Sequence, residues 1–283
     1  MRPALPTLLL GATCIALSPI FVRLSEAGPV ATAFWRTALA LPALWTLYFA
    51  QRPKAPGPAP RLLLLAAGLA FAGDLAFWHA AIGLTSVANS TLLANLASIF
   101  VTLAAWLFFA QRPNFLFLGG LALALGGVAW LVHGSLRFSA HGLLGDVLGV
   151  VTALFYAAYL LAVKALRDRG CGTLLIMAVT STVTTLTLLP AALLSGERVL
   201  PSTGSGWLDL LGLALVSHAA GQGLIAFALA HLPAAFSSVS LLLQPVMAAL
   251  FAWLLLAEPL SAAQVAAGAV VLAGIYLARR GSA

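Results

Sequence analysis

The chain has 283 residues, of which 62% are hydrophobic and only 7% are charged, and its formal net charge is +7. A soluble domain carries roughly 25% charged residues, so this composition excludes a soluble protein and predicts an integral membrane protein. The basic residues stand at the ends of apolar segments, where they orient a membrane protein, and this argues against a nucleic-acid partner.

The apolar segments are about 20 residues long, which predicts transmembrane helices rather than the ~10-residue alternating strands of a barrel. Met1-Arg2 and the apolar stretch behind it imitate a signal peptide, but the stretch continues to Leu24 and predicts a retained first helix. Ten spans are expected, at 4–24, 29–50, 61–84, 87–110, 114–133, 142–164, 172–194, 206–230, 235–257 and 261–279. The predicted fold is all-α, with ten transmembrane helices.

A long internal repeat divides the chain. AWLFFAQRP at Ala105 recurs as AWLLLAEPL at Ala252, 147 residues later. A repeat of this length in an apolar chain is typical of a duplicated helical bundle. A polar linker at 133–142 separates five expected spans from five others, so we predict a first five-helix repeat at 1–136 and a second at 137–283.

Basic residues are distributed unequally between the two ends of the spans. Three of them, Arg23, Arg137 and Arg198, lie on the side opposite the N-terminus. Ten lie on the N-terminal side: Arg2, Arg52, Lys54, Arg61, Arg112, Lys164, Arg167, Arg169, Arg279 and Arg280. Cytoplasmic loops carry the excess of Lys and Arg, so we predict a multi-pass inner (plasma) membrane protein with both termini cytoplasmic. Because each repeat has an odd number of spans, the repeats are expected to be inverted, which permits alternating access to a central site.

Polar side chains inside a span are costly and each one calls for a partner or a wet cavity. Asp74 is the only acidic residue deep in a span, with Trp78 one turn later and His79 beside it. Two interpretations are open: Asp74 is a functional carboxylate, or it is neutral or tied to a backbone group or to Arg36. Arg36 itself is expected to snorkel to the outer surface, the alternative being that it holds a carboxylate.

The offset of 147 residues places His218 opposite Phe71 in the repeat, and Gly221, next to Gln222, opposite Asp74. His218 and Asp74 therefore occupy equivalent faces of equivalent helices, and both are expected to approach the centre of the bundle.

Two further helices carry polar stripes. Thr91, Asn95, Ser98 and Thr102 follow spacings of four, three and four residues along the fourth span and share one face. Such residues either bond neighbouring helices or line a cavity.

The sixth span places Thr152, Tyr156 and Tyr159 on one face. Aromatic rings stack on organic solutes or cover cations, although they also stand in lipid-facing belts. Their mid-span position favours a cavity.

Two prolines lie inside expected spans. Pro19 and Pro245 each remove a helix hydrogen bond and free carbonyl groups nearby. They are predicted hinges, and Gln244 is placed to reach the freed groups.

The stretch FWRTALALP around Arg36 and the run SLLLQPVMAALFAWLLLAEPLSAAQVAAGAVVLAGIYL of the last two spans resemble the drug/metabolite transporter superfamily, EamA type. The resemblance covers essentially the whole chain, and within the superfamily it is greatest to the YddG-like amino-acid exporters. It implies ten helices in two inverted five-helix repeats. The first half departs from the pattern, with Gln111-Arg112 where a Glu is usual and Ser98 where the second half has Pro245.

The polar residues expected inside the spans indicate a neutral or zwitterionic substrate. A phosphorylated sugar would need several basic groups at mid-membrane, and a four-helix multidrug pump would carry a Glu in its first span, which this chain lacks. We therefore expect export of amino acids, including aromatic or apolar ones, through a central cavity. The candidate substrate-binding residues are Asp74, Trp78, His79, Asn95, Ser98, Tyr156, Tyr159, His218, Gln222 and Gln244.

In this hypothesis Tyr156, Tyr159 and Trp78 contact the substrate side chain. Polar groups of the other candidates satisfy its amino and carboxylate groups, and Asp74 holds the ammonium or a coupling proton. The expected partners are a small molecule and the lipid bilayer, with the protein a monomer or a weak homo-oligomer. The sequence indicates no cofactor and no metal site, because its two cysteines form no ligand cluster.

Three alternatives remain open at this stage. One is efflux of drugs or other metabolites by the same fold. Another is an intramembrane enzyme that uses Asp74 with His79 or His218, although no nucleophile stands beside a base in the sequence. A purely structural membrane partner is the third, and the duplication argues against it.

Overall fold

The computed structural model describes residues 4–51, 60–84, 87–109, 111–133 and 142–282, and every regular element within these ranges is helical. Most of the expected linker between the halves, residues 134–141 with Arg137, lies outside the described residues, as do Arg2, Arg52 and Lys54. A π-helix, Leu213–Gln222, lies between α11 and α12. The α-helices are α1 (Ala4–Ile15), α2 (Ser18–Leu24), α3 (Pro29–Ala38), α4 (Leu41–Ala50), α5 (Arg61–Leu84), α6 (Val87–Ala94), α7 (Ala97–Phe109), α8 (Phe115–Val132), α9 (Gly142–Asp168), α10 (Thr173–Leu194), α11 (Gly204–Gly212), α12 (Gly223–Ala228), α13 (Ala234–Ser240), α14 (Leu243–Leu256) and α15 (Ala262–Gly281).

Within the described part of the chain, nine helical stretches are long and apolar enough to cross a membrane. These are Ala4–Leu24, Arg61–Ile82, Ser90–Phe108, Phe115–Val132, Gly142–Asp168, Thr173–Leu194, Gly204–Ala228, Ala234–Leu256 and Ala262–Gly281. The remaining expected span, 29–50, consists of α3 and α4, two helices of 10 residues each. The prediction of an all-α, multi-pass membrane protein is confirmed.

Several spans are interrupted near their middle, and proline explains most of the interruptions. The α1–α2 break falls just before Pro19, and the α13–α14 break just before Pro245. Proline lacks the N–H that would continue the helix, and the chain tightens locally, with the Gln244 N–H donating to the Leu241 carbonyl at 2.9 Å. Whether Pro19 and Pro245 act as hinges stays a prediction.

The α6–α7 break contains no proline. It falls at Asn95-Leu96, and the Asn95 side-chain amide donates to the Thr91 carbonyl at 2.8 Å. The Ser98 hydroxyl donates to the Asn95 carbonyl at 2.9 Å. Short polar side chains that bond to nearby carbonyls compete with the helix ladder, so polar side chains accompany the interruption here, whereas a proline follows the interruption between α13 and α14.

Helices α8 and α15 approach each other closely through glycine. A Cβ atom added at Gly120 would collide with the backbone of Ala278, and one at Gly274 would collide with the backbone of Ala124. Small residues of this kind allow helices to pack tightly in membranes, where burial of apolar surface supplies little driving force. Elsewhere α5 packs against α9 and α10, and α1 packs against the π-helix and α12.

At one end of the bundle the loop between α2 and α3 is fastened to the loop between α10 and α11; we call this the Glu26 end. The Glu26 carboxylate accepts hydrogen bonds from the Thr203 hydroxyl and from the Ser202 N–H, the latter at 2.6 Å. These bonds hold the pKa of Glu26 below its usual range. A second carboxylate, that of Glu197 in the loop between α10 and α11, accepts a hydrogen bond from the Val30 N–H in the first turn of α3 at 2.9 Å. A carboxylate at the first turn of α3 also suits the positive end of the helix dipole.

An ion pair lies at the same end. The Arg23 guanidinium at the end of α2 contacts the Glu258 carboxylate, which follows α14. The ion pair therefore joins the end of α2 to the end of α14, which the hydrogen bonds at Glu26 do not connect.

Candidate functional site

One cavity in the interior of the helix bundle is lined by seven of the ten expected spans, and the space within it, with the open solvent at its mouth, is about 750 Å³. Its lining residues are Ile15, Ala16, Ser18, Pro19, Arg36, Phe71, Asp74, Leu75, Trp78, Thr91, Ala94, Asn95, Thr152, Tyr156, Gln222, Gln244, Pro245 and Ala248. The interruptions at α1–α2, α6–α7 and α13–α14 all border it, so the helix breaks and the cavity occupy the same level of the bundle.

The charged lining residues lie well inside the bundle. Arg36 is seven residues from the start of α3 and Asp74 is ten residues from the end of α5. At ~1.5 Å per residue these positions are about 10 Å and about 15 Å from the helix ends, against a hydrocarbon thickness of about 30 Å. Arg36 is only 5% exposed and Asp74 is half-buried.

Several polar atoms around the cavity are buried without a hydrogen-bond partner. They are Ser18 Oγ, Arg36 Nε, Gln222 Oε1 and Gln244 Nε2. These atoms come from α2, α3, the π-helix and α14, and all four residues line the cavity. Buried polar groups are almost always bonded, because an unmade bond costs about 1–3 kcal/mol. Their convergence on one space is therefore typical of a site that binds a polar molecule.

An aromatic wall completes the cavity. Phe71, Trp78 and Tyr156 line it directly. Tyr159 and His218 pack behind Phe71, with ring centroids 4.6 Å and 5.3 Å from that of Phe71. The His218 Nε2 lies 2.8 Å from the Ser181 hydroxyl. Phe71 is thus held by two rings from other helices and presents an apolar surface to an occupant.

The structure brings together six of the ten residues that the sequence nominates for substrate binding: Asp74, Trp78, Asn95, Tyr156, Gln222 and Gln244. Pro19 and Pro245, the predicted hinges, line the same cavity, as do Thr91 and Thr152. Their role in binding stays a prediction, since proximity to a cavity does not test it.

The other four nominated residues lie outside the lining. His79 is fully buried and its Nδ1 lies 2.8 Å from the Leu75 carbonyl. Ser98 bonds the Asn95 carbonyl, while Tyr159 directs its hydroxyl to the Met177 sulfur at 3.9 Å. His218, as described above, supports the ring of Phe71 from behind. Asp74 lines the cavity and His218 does not, although the repeat offset predicts that they occupy equivalent helix faces.

The expectation that Arg36 snorkels to the surface is wrong. Its side chain is buried and lines the cavity, because α3 packs against α5 and α10 on the inside of the bundle. Sequence reasoning also missed Ser18 and Phe71. Phe71 carried a usable signal, since the repeat offset pairs it with His218; Ser18 carried none beyond its place next to Pro19.

The fold and this cavity can be compared with known proteins. A family model described as the EamA-like transporter family matches residues 2–133 and 143–280. The chain belongs to this family. A transporter of Archaeoglobus fulgidus, named as uncharacterized, is 31% identical over 270 residues, which cover 91% of each chain. A Salmonella typhimurium protein named "probable amino-acid metabolite efflux pump" is 29% identical over 241 residues, or 82% of this chain and 79% of that protein.

One solved crystal structure shares the fold of this EamA-like transporter, with a TM-score of 0.83 at 18% identity, over 100% of this chain and 98% of the other. Family membership makes the protein a membrane transporter of small molecules and decides against the intramembrane enzyme. Among the residues that the structure describes, no group of three His, Cys, Asp or Glu side chains is placed to hold a metal ion.

Proposed function

We propose that this EamA-like transporter exports amino acids, including aromatic and apolar ones, through the central cavity. The observation that carries the proposal is that four residues with a buried, unpartnered polar atom all line one cavity beside an aromatic wall. Side-chain amides, a hydroxyl and two opposite charges suit the polar end of an amino acid. Phe71, Trp78 and Tyr156 suit its apolar or aromatic side chain.

Transport by alternating access would follow from two inverted repeats, residues 1–136 and 137–283. The two successive matches of the family model support this division. So do the interruptions at 95–96 and at 241–242, which differ by one residue from the offset of 147. In such a fold, exchange of the conformations of the two halves opens the central site first to one side and then to the other.

Two observations support export as the direction of transport. The Lys and Arg excess on the N-terminal side of the spans supports a cytoplasmic location for both termini. The relative from Salmonella typhimurium is named as an efflux pump for amino-acid metabolites. We therefore propose that substrate enters from the cytoplasm and leaves at the Glu26 end.

Reconstituted protein tests the proposal directly. Liposomes that contain the purified transporter are loaded with a broad panel of unlabelled amino acids, and exchange against the labelled compound outside is measured. We expect exchange above that of empty vesicles for apolar and aromatic members. An absence of flux for every member of the panel would overturn the proposal.

A matched pair of variants on α14 ties the flux to the cavity. Ala248 lines the cavity, so Ala248→Trp is expected to abolish exchange by filling it. Leu255 on the same helix is 60% exposed and faces lipid, so Leu255→Trp is expected to leave exchange intact. Equal losses in both variants would show that the cavity is not the route.

Efflux of drugs or other metabolites is the second candidate within the same fold. Asp74 beside Trp78 would suit a cationic drug. Arg36 in the same cavity opposes it, because an organic cation would meet an unneutralised positive charge. Cationic dyes in the same exchange assay separate the two candidates.

A further inference from the structure

The lining of the cavity includes two side chains of opposite charge that do not pair with each other. Arg36 and Asp74 come from α3 and α5, which are packed against one another. Both residues are described by the structure, and no Arg36 nitrogen lies within 4.0 Å of an Asp74 oxygen. The Nε atom of Arg36 has no hydrogen-bond partner at all.

Two buried side chains of opposite charge that do not contact each other are costly. Charges within the membrane are expensive and normally pair with one another or with backbone carbonyls, and a buried ion left without its partner is strongly destabilising. The guanidinium of Arg36 and the carboxyl group of Asp74 both line the cavity, and neither contacts the other directly.

The polar atoms next to these charges have the hydrogen-bonding types that a bridging molecule would need. A guanidinium offers only donors and an ionised carboxylate only acceptors. The Gln222 and Gln244 amides each provide a donor and an acceptor, and one atom of each is unpartnered. Ser18 adds a hydroxyl that is 3% exposed and also unpartnered.

We propose that Arg36 binds the carboxylate and Asp74 the ammonium group of one zwitterionic occupant, so that the cavity selects molecules that carry both charges. This inference rests on the proposed function and specifies how its substrate is recognised. A molecule with only one of the two charges leaves the other side chain buried and unpaired. A site built for a polar group rejects analogues that lack it far more strongly than an apolar pocket rejects a misfit.

Amino acids and their analogues of equal shape test this selection in the wild-type protein. Phenylalanine is compared with phenethylamine, which lacks the carboxylate, and with 3-phenylpropanoate, which lacks the ammonium. Leucine, 3-methylbutylamine and 4-methylpentanoate form a second set. Each compound competes against exchange of the labelled parent amino acid in liposomes. We expect both single-charge analogues of each set to compete at least about 100-fold less well than the parent.

Variants then assign each charge to its group. Arg36→Gln is expected to weaken the binding of phenylalanine. It should also reduce the discrimination against phenethylamine, because binding of the amine then leaves no guanidinium unpaired. Asp74→Asn is expected to reduce the discrimination against 3-phenylpropanoate instead. Thr102→Val is the control: Thr102 is buried on α7, outside the lining, and bonds only the Ser98 carbonyl. It is expected to leave all the ratios unchanged.

The two variants are expected to affect different analogues, and this distinguishes recognition from a folding defect, which would leave the ratios among the three compounds unchanged. If Arg36→Gln does not fold, Arg36→Lys keeps the charge and is expected to retain the preference for the parent amino acid. The inference is overturned if wild-type protein exchanges phenylalanine or leucine but its single-charge analogues compete equally well. It is also overturned if both variants change all compounds alike. A failure of the proposed function looks different, since no amino acid would then be exchanged at all.

Discussion

Phe71 and His218 stack on one another with ring centroids 5.3 Å apart and ring planes at 20°. They lie 147 residues apart, which is the offset that aligns AWLFFAQRP with AWLLLAEPL. Two equivalent residues of a duplicated chain can touch only close to the axis that relates the copies. The stack therefore marks where the axis of the proposed inverted repeats would pass, at the wall of the cavity.

Removal of the Phe71 ring should destabilise the protein by loss of packing. Phe71 is 2% exposed and contacts Tyr159 and His218. We expect Phe71→Ala to cost about 2 kcal/mol, less than in a soluble core because lipid is as apolar as the protein interior. Thermal unfolding in detergent measures the change. Phe108→Ala, at a site that is 80% exposed, is the control and should shift stability by no more than about 0.5 kcal/mol.

Two glycines on α8 and α15 should differ in their tolerance of a side chain: Gly126 should accept one and Gly274 should not. Gly274→Val would drive a side chain into the backbone of Ala124, so we expect a loss of about 1–3 kcal/mol or failure to fold. Gly126 has nothing within 4 Å of a built Cβ atom, and Gly126→Ala should be neutral or slightly stabilising. Equal effects of the two substitutions on thermal unfolding would contradict the close approach.

Breaking the ion pair between Arg23 and Glu258 should ease access to the cavity from the Glu26 end. The pair joins the end of α2 to the end of α14, and both helices line the cavity. In a protein with Ser18→Cys and both native cysteines replaced by alanine, we expect Glu258→Gln to raise the labelling rate by an impermeant thiol reagent several-fold.

The charge-reversed pair, Arg23→Glu with Glu258→Arg, should restore the slow labelling rate. A rate that is the same in all three proteins would mean that the pair does not limit access. Because both side chains are partly exposed, we expect little effect on thermal stability.

The attachment of the two loops at Glu26 should weaken in acid. Hydrogen bonds from Thr203 and Ser202 lower the pKa of Glu26 below its usual value of 4.5. A carboxylate with a depressed folded-state pKa stabilises the fold above the unfolded pKa and loses this contribution as the pH falls through the folded value. Thermal unfolding should therefore show a decrease below about pH 4.5 in the wild type. Glu26→Gln should be less stable at neutral pH and should lack this part of the decrease; parallel curves would refute the linkage.

Particular residues show how far sequence reasoning reaches. The positions of Pro19 and Pro245 indicated breaks in two spans, and both spans are interrupted directly before them. The predicted stripe of Thr91, Asn95, Ser98 and Thr102 spans the break between α6 and α7. Helical spacing could not tell that Thr91 and Asn95 line the cavity while Ser98 and Thr102 bond carbonyls of their own span.

The sequence by itself determined that the protein is an all-α, multi-pass membrane protein; of the ten expected spans, nine are long and apolar enough to cross a membrane within the described residues. Within a bilayer each backbone polar group must be bonded inside its own segment, so apolar length alone specifies helices. The tertiary structure decided which polar side chains share a space. Arg36 was expected at the surface and lies in the cavity, whereas His218 was nominated for substrate binding and stands behind Phe71. A helix fixes the direction of a side chain relative to its own axis, but only the packing of other helices determines what that side chain faces.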